Sequence, residues 1–173
     1  MELPGSSYLY ALGTFAITFA GFAAMIVVFR QVISGKLLNY DLFFVRAVLM
    51  RSFIVVACAM LPSMLSLFKI SEVTIWRSSS LIAGLLQSAF VLTWKIRRKA
   101  VTGVPVPLTT HVHNGLQLLT AAFLVVGALG ILFEPGPGPF AFGVTAFFFL
   151  SLTAYLISLE YLFGNFSSEK DSK

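Results

Sequence analysis

From Tyr8 to Phe29 the chain runs 22 residues without a charged side chain, and it stops at Arg30-Gln31. At ~1.5 Å of rise per residue such a run makes a helix of about 33 Å, enough to cross the ~30 Å hydrocarbon layer of a bilayer. In lipid no water bonds the backbone, so a helix that satisfies its own amides is the form open to it. Four more segments share this character, and together they predict spans over 8–29, 46–68, 78–94, 115–133 and 140–163. Composition agrees: only 11% of residues are charged and 58% are hydrophobic, against ~25% charged in soluble domains. So few charges cannot coat a soluble domain of 173 residues. The expectation is an all-α polytopic membrane helix bundle, one integral membrane domain over 1–173, in contact with the lipid bilayer.

The connections carry turn chemistry. Pro105 and Pro107 interrupt any helix before the fourth span, and Glu134-Pro135-Gly136-Pro137-Gly138-Pro139 marks a tight hairpin before the fifth. Arg46 and Arg51 fall in the first half of the second apolar stretch, which predicts an interfacial helical turn over Asp41–Arg51 with both arginines snorkelling to water. Pro62 is expected to kink that span. Trp76 and Trp94, 18 residues apart, are expected to mark the two interfacial belts of the third.

Orientation follows from the basic residues. All but Lys69 and Arg77 of the 12 lysines and arginines fall in the segments after spans one, three and five. The positive-inside rule then puts the N-terminus outside and the C-terminus in the cytoplasm. A secretory signal peptide is the rival reading of the first segment, but Met1–Ser7 lacks its basic n-region. Five spans do not divide into the two equal halves of an inverted-repeat transporter.

Few residues point to chemistry. Span one is dense in small residues, and Gly13, Ala16, Ala20, Gly21 and Ala24 suit close helix packing, with Ala16, Ala20 and Ala24 on one face. The sharper reading has Thr14 and Thr18 line a pore in an oligomer. Gln87 is the one strongly polar side chain at mid-span, where an amide serves either a neighbouring helix or a polar path. Glu160, a turn from the end of span five, is expected to form an interfacial ion pair with Arg46 or Arg51. Lys95, Arg97, Arg98 and Lys99 resemble a juxtamembrane polybasic cluster, which suits contact with anionic lipid headgroups as well as simple orientation.

His111 and His113 stand at the mouth of span four, about 200° apart around a helix, which does not suit a shared metal or haem. A single cysteine, Cys58, excludes a disulfide framework and a cysteine zinc site. The +5 net charge is spread between apolar runs instead of forming a basic stripe, so nucleic acid is not an expected partner. No cofactor and no metal are expected.

The stretch Gly13-Thr14-Phe15-Ala16-Ile17-Thr18-Phe19-Ala20-Gly21-Phe22-Ala23-Ala24, closing at Arg30-Gln31, resembles the first helix of small uncharacterised bacterial multi-span inner-membrane proteins. The likeness covers about 20 residues. It implies a bacterial inner membrane and no activity. With no cluster of acids or histidines at one depth, the sequence points to a non-catalytic accessory or structural subunit acting through helix contacts with other membrane subunits or copies of itself. The alternative is a homo-oligomeric channel or small transporter with span one or three lining the path.

Overall fold

Apolar runs must satisfy their own amides, and among the described residues the chain forms six helices: α1 (Ser6–Ser34), α2 (Asn39–Ser66), α3 (Glu72–Leu92), the short polar α4 (Trp94–Arg98), α5 (Leu108–Leu129) and α6 (Pro137–Lys170). The structure, a computed structural model, describes residues 3–34, 39–98 and 108–170, and describes side chains for these except at 30, 33, 34, 39–41, 44, 95 and 158–170. Among the described residues five stretches are long and apolar enough to cross a bilayer: Ser6–Phe29, Val45–Ser66, Glu72–Arg98, Leu108–Leu129 and Pro137–Ile157. The chain is a multi-pass, all-helical membrane protein.

All five spans begin earlier than their hydropathy suggests, the third and fourth most plainly. The third starts at Glu72 instead of 78 because Ser71 caps it, its hydroxyl accepting from the Thr74 amide at 3.3 Å while Glu72 complements the helix N-terminus. The fourth starts at Leu108 instead of 115, since Thr109 to Asn114 are polar without being helix breakers. At its far end α5 closes with Gly130 at φ 72°, where the Ile131 amide bonds the Val126 carbonyl and the Gly130 amide that of Gly127. That pairing is a Schellman motif, and its left-handed residue suits glycine.

α1 packs mainly on α2 and α3 mainly on α5, while α6 touches α1, α2, α3 and α5. The core is an apolar cluster from Leu9, Leu12, Val55, Trp76, Leu124, Phe140 and Val144 among others. Two side chains turn inward. Trp76, expected to mark an interfacial belt, is buried against the bundle: its ring packs 5.7 Å from that of Phe140 and its Nε1 donates to Glu72 Oε1 at 3.2 Å. With its one donor satisfied on its own helix, the indole enters the core at little polar cost. Arg51 is buried too, in a continuous α2, whereas Arg46 is exposed. Five residues at ~100° each place the two about 140° apart, so only one of them can snorkel from a shared interface.

Candidate functional site

One end of the bundle gathers the buried arginine and amide side chains; the other buried polar side chains among the described residues are serines. On α2, Arg51 is 7% exposed and its guanidinium carbon stands 5.1 Å from the centre of the Phe90 ring of α3. The Arg97 guanidinium of α4 lies over the same ring at 3.8 Å and donates to the Phe90 carbonyl. Both guanidiniums thus lie against the Phe90 ring, a contact in which the ring quadrupole attracts each.

The end of α3 explains part of this. Thr93 caps it, its hydroxyl donating to the Ala89 carbonyl at 2.7 Å, and Arg97 satisfies another of the carbonyls that a helix C-terminus leaves open. Arg97 therefore has a structural role beside the negative end of a helix. Arg51 has no such helix end, and its Nε lacks a hydrogen-bond partner among the described residues.

Two amides complete the cluster. Gln87 precedes Phe90 by one turn and is 0% exposed, with neither amide atom bonded among the described residues. Gln117 on α5 is also 0% exposed; its Nε2 meets His113 Nε2 at 3.2 Å and its Oε1 is unbonded among the described residues. The helices that carry them come close because α3 has a glycine at their crossing. A Cβ built on Gly84 would sit 2.7 Å from Val125 Cγ2 and 2.9 Å from the Ala121 carbonyl oxygen. One turn from that crossing, toward the same end, stand Gln87 and Gln117.

The charges are one-sided. Arg97 lies within Coulombic reach of both Arg46 and Arg51, and Arg51 within reach of His113. The carboxylates with described side chains, Glu72 and Glu134, are at the opposite end of the bundle. The Glu160 side chain, which the sequence paired with Arg46 or Arg51, lies outside the described residues.

The other residues singled out in the sequence divide sharply. Gly13, Ala16 and Ala20 are buried, and Gly13 stands against Ala59 of α2. Ala24 is half-buried and Ala23 takes the fully buried place, while Gly21 is exposed with open space beside it. Thr14 and Thr18 face outward, each hydroxyl donating at 2.9 Å to the carbonyl four residues earlier. Gln87 lies inside, so the structure does not bring it together with the two threonines.

Within the Lys95–Lys99 run, Arg97 lies over the Phe90 ring and Arg98 lies 5.3 Å from the Trp94 ring centre, both half-buried. Lys99 and the Lys95 side chain are outside the described residues. His111 is exposed against the Trp94 ring, apart from half-buried His113. Among the described residues no three His, Cys, Asp or Glu side chains converge.

Sequence reasoning passed over Arg51 and Gln117 as interior groups. The spacing of His113 and Gln117, four apart on one helix face, was the available signal for the second. Compared with known proteins, the chain matches no family model, no curated protein and no solved structure, so the chemistry of this cluster is what any functional reading has to stand on.

Proposed function

We propose that the protein is a bacterial inner-membrane protein, N-terminus outside and C-terminus cytoplasmic, that serves a larger assembly as a non-catalytic accessory or structural subunit. The observation that carries this reading is the division of the interior. Arginines and amides occupy one end, while Leu9, Leu12, Trp76, Phe140 and Val144 pack the other as apolar core. Conduction needs a continuous wet path, and that packed half offers none within a single chain. Close helix approach supplies the means of assembly: Thr14, Thr18 and Gly21 leave small groups on the outer side of α1, with both hydroxyls satisfied at home.

A homo-oligomeric channel is the second reading, favoured by the same outward threonines, which could ring an axis only between copies. Gln87 belongs to no such ring. Reconstitution separates the two readings. The purified chain in liposomes is expected to pass no ions above empty vesicles, and mild extraction from native membrane to yield a complex with unlike chains. Flux from particles of this chain alone, abolished by Thr18→Val, would establish the channel instead.

A further inference from the structure

An arginine inside a membrane bundle is costly unless an opposite charge or a full set of acceptors meets it, and such residues face the interior for a reason. Arg51 is 7% exposed with its Nε unbonded among the described residues, and Arg97 approaches the same ring from α4. On α3, one turn before Phe90, Gln87 offers an amide that is fully buried and unbonded among the described residues. Every ionised group with a described side chain near this point is a cation. Among the described residues the cluster therefore holds no compact anion with several acceptor oxygens.

We propose that Arg51 and Arg97, with the amides of Gln87 and Gln117, form an interhelical binding site for a phosphate-class oxyanion. Guanidinium forks match tetrahedral phosphate oxygens with paired, charge-assisted hydrogen bonds, and primary amides add neutral donors. The site draws on α2, α3, α4 and α5, so occupancy would tie the α1–α2 pair to the α3–α5 pair. Two sources supply the same chemistry: a free phosphate or the headgroup of an anionic phospholipid, which basic pockets between membrane helices are suited to bind. The proposal does not depend on the accessory-subunit reading and concerns a ligand instead of a partner chain.

The test uses the purified full chain in detergent and follows its thermal midpoint as a function of added ligand. Inorganic phosphate, phosphatidylglycerol and zwitterionic phosphatidylcholine are titrated separately, with chloride as the ionic-strength control. Saturable stabilisation by phosphate identifies a free oxyanion, and stabilisation by phosphatidylglycerol alone identifies a headgroup. In either case Arg51→Gln should weaken the apparent affinity at least about tenfold, the loss expected for one charge-assisted contact. Lys69→Gln, at the opposite end, should leave it unchanged.

If Arg51→Gln does not fold, Gln87→Met carries the test. It removes a buried amide that has no partner among the described residues, so it should leave the ligand-free midpoint unchanged or raised while weakening ligand affinity by about 2- to 12-fold. Absence of stabilisation by phosphate and by phosphatidylglycerol overturns the proposal. So does equal stabilisation by phosphatidylglycerol and phosphatidylcholine without a phosphate effect, or unchanged affinity in the Arg51 and Gln87 variants.

Discussion

Gly84 sets how near α3 comes to α5, and adding one methyl group there measures that contact. A Cβ at this position would stand 2.9 Å from the Ala121 carbonyl oxygen and 2.7 Å from Val125 Cγ2. Val125 can turn aside, but the carbonyl belongs to a helix and moves only with it. Restoring an ordinary contact of about 3.4 Å requires the helices to part by roughly 0.5 Å, which loosens the dispersion contacts along the whole crossing. Overpacking of this kind costs about 1–3 kcal/mol. For a chain of this length, at about 2–4 °C per kcal/mol, Gly84→Ala should lower the melting midpoint by roughly 2–12 °C.

Gly21 supplies the matched control, because a Cβ there meets nothing within 4 Å. Gly21→Ala should be neutral or stabilise by up to ~1 kcal/mol through helix propensity. Both variants can be melted in the same detergent with an intrinsic tryptophan or thiol-reactive reporter. A Gly84→Ala midpoint equal to that of the unaltered chain, or a Gly21→Ala midpoint well below it, would refute the argument that α3 and α5 meet at backbone distance.

Three further outcomes are expected. Single cysteines placed at 36 and 170 in a Cys58→Ser background should resist an impermeant thiol reagent added outside intact cells, and labelling at either site would reverse the orientation derived from the basic residues. Tyr8 Oη and Thr145 Oγ1 lie 2.7 Å apart, joining α1 to α6; a double-mutant cycle of Tyr8→Phe and Thr145→Val should give a coupling near ~0.6 kcal/mol, and additivity would remove the bond. Val48 and Tyr155 share a small core cluster; counting ~1.5 Å per residue from them, Glu160 differs in depth by about 4–5 Å from Arg46 and about 12 Å from Arg51. A cycle of Glu160→Gln with Arg46→Gln should therefore couple by about 0.2–1 kcal/mol, and the cycle with Arg51→Gln should be additive.

The spans were readable because they rest on length and polarity alone, which a bilayer turns directly into structure. What failed to read was the direction of side chains around each helix. α1 is so evenly apolar around its axis that nothing in its sequence separates the buried Leu12 and Ala16 from the exposed Phe15 and Ile17. In water the buried face of a helix announces itself as an apolar stripe. In lipid the outer face is apolar as well, and the pattern vanishes. Size is a better guide than polarity there, which is why Ala16 and Ala20 read correctly as interior positions, while Gly21, equally small, faces outward.

The candidate site failed to read for a related reason. An arginine close to the end of an apolar run is ordinarily explained by snorkelling, and nothing local to Arg46 and Arg51 distinguishes them. The distinction comes from the partner helix: Phe90, carried on α3, meets the side of α2 that bears Arg51. Yet the angular step between the two was available beforehand. Two arginines about 140° apart cannot both escape along one lipid-facing track, so a pair at that spacing inside a span implies that one of them turns into the protein. There it needs acceptors, and the polar side chains gathered at this end among the described residues are the buried amides of Gln87 and Gln117 and the half-buried Arg97, none of which neutralises it.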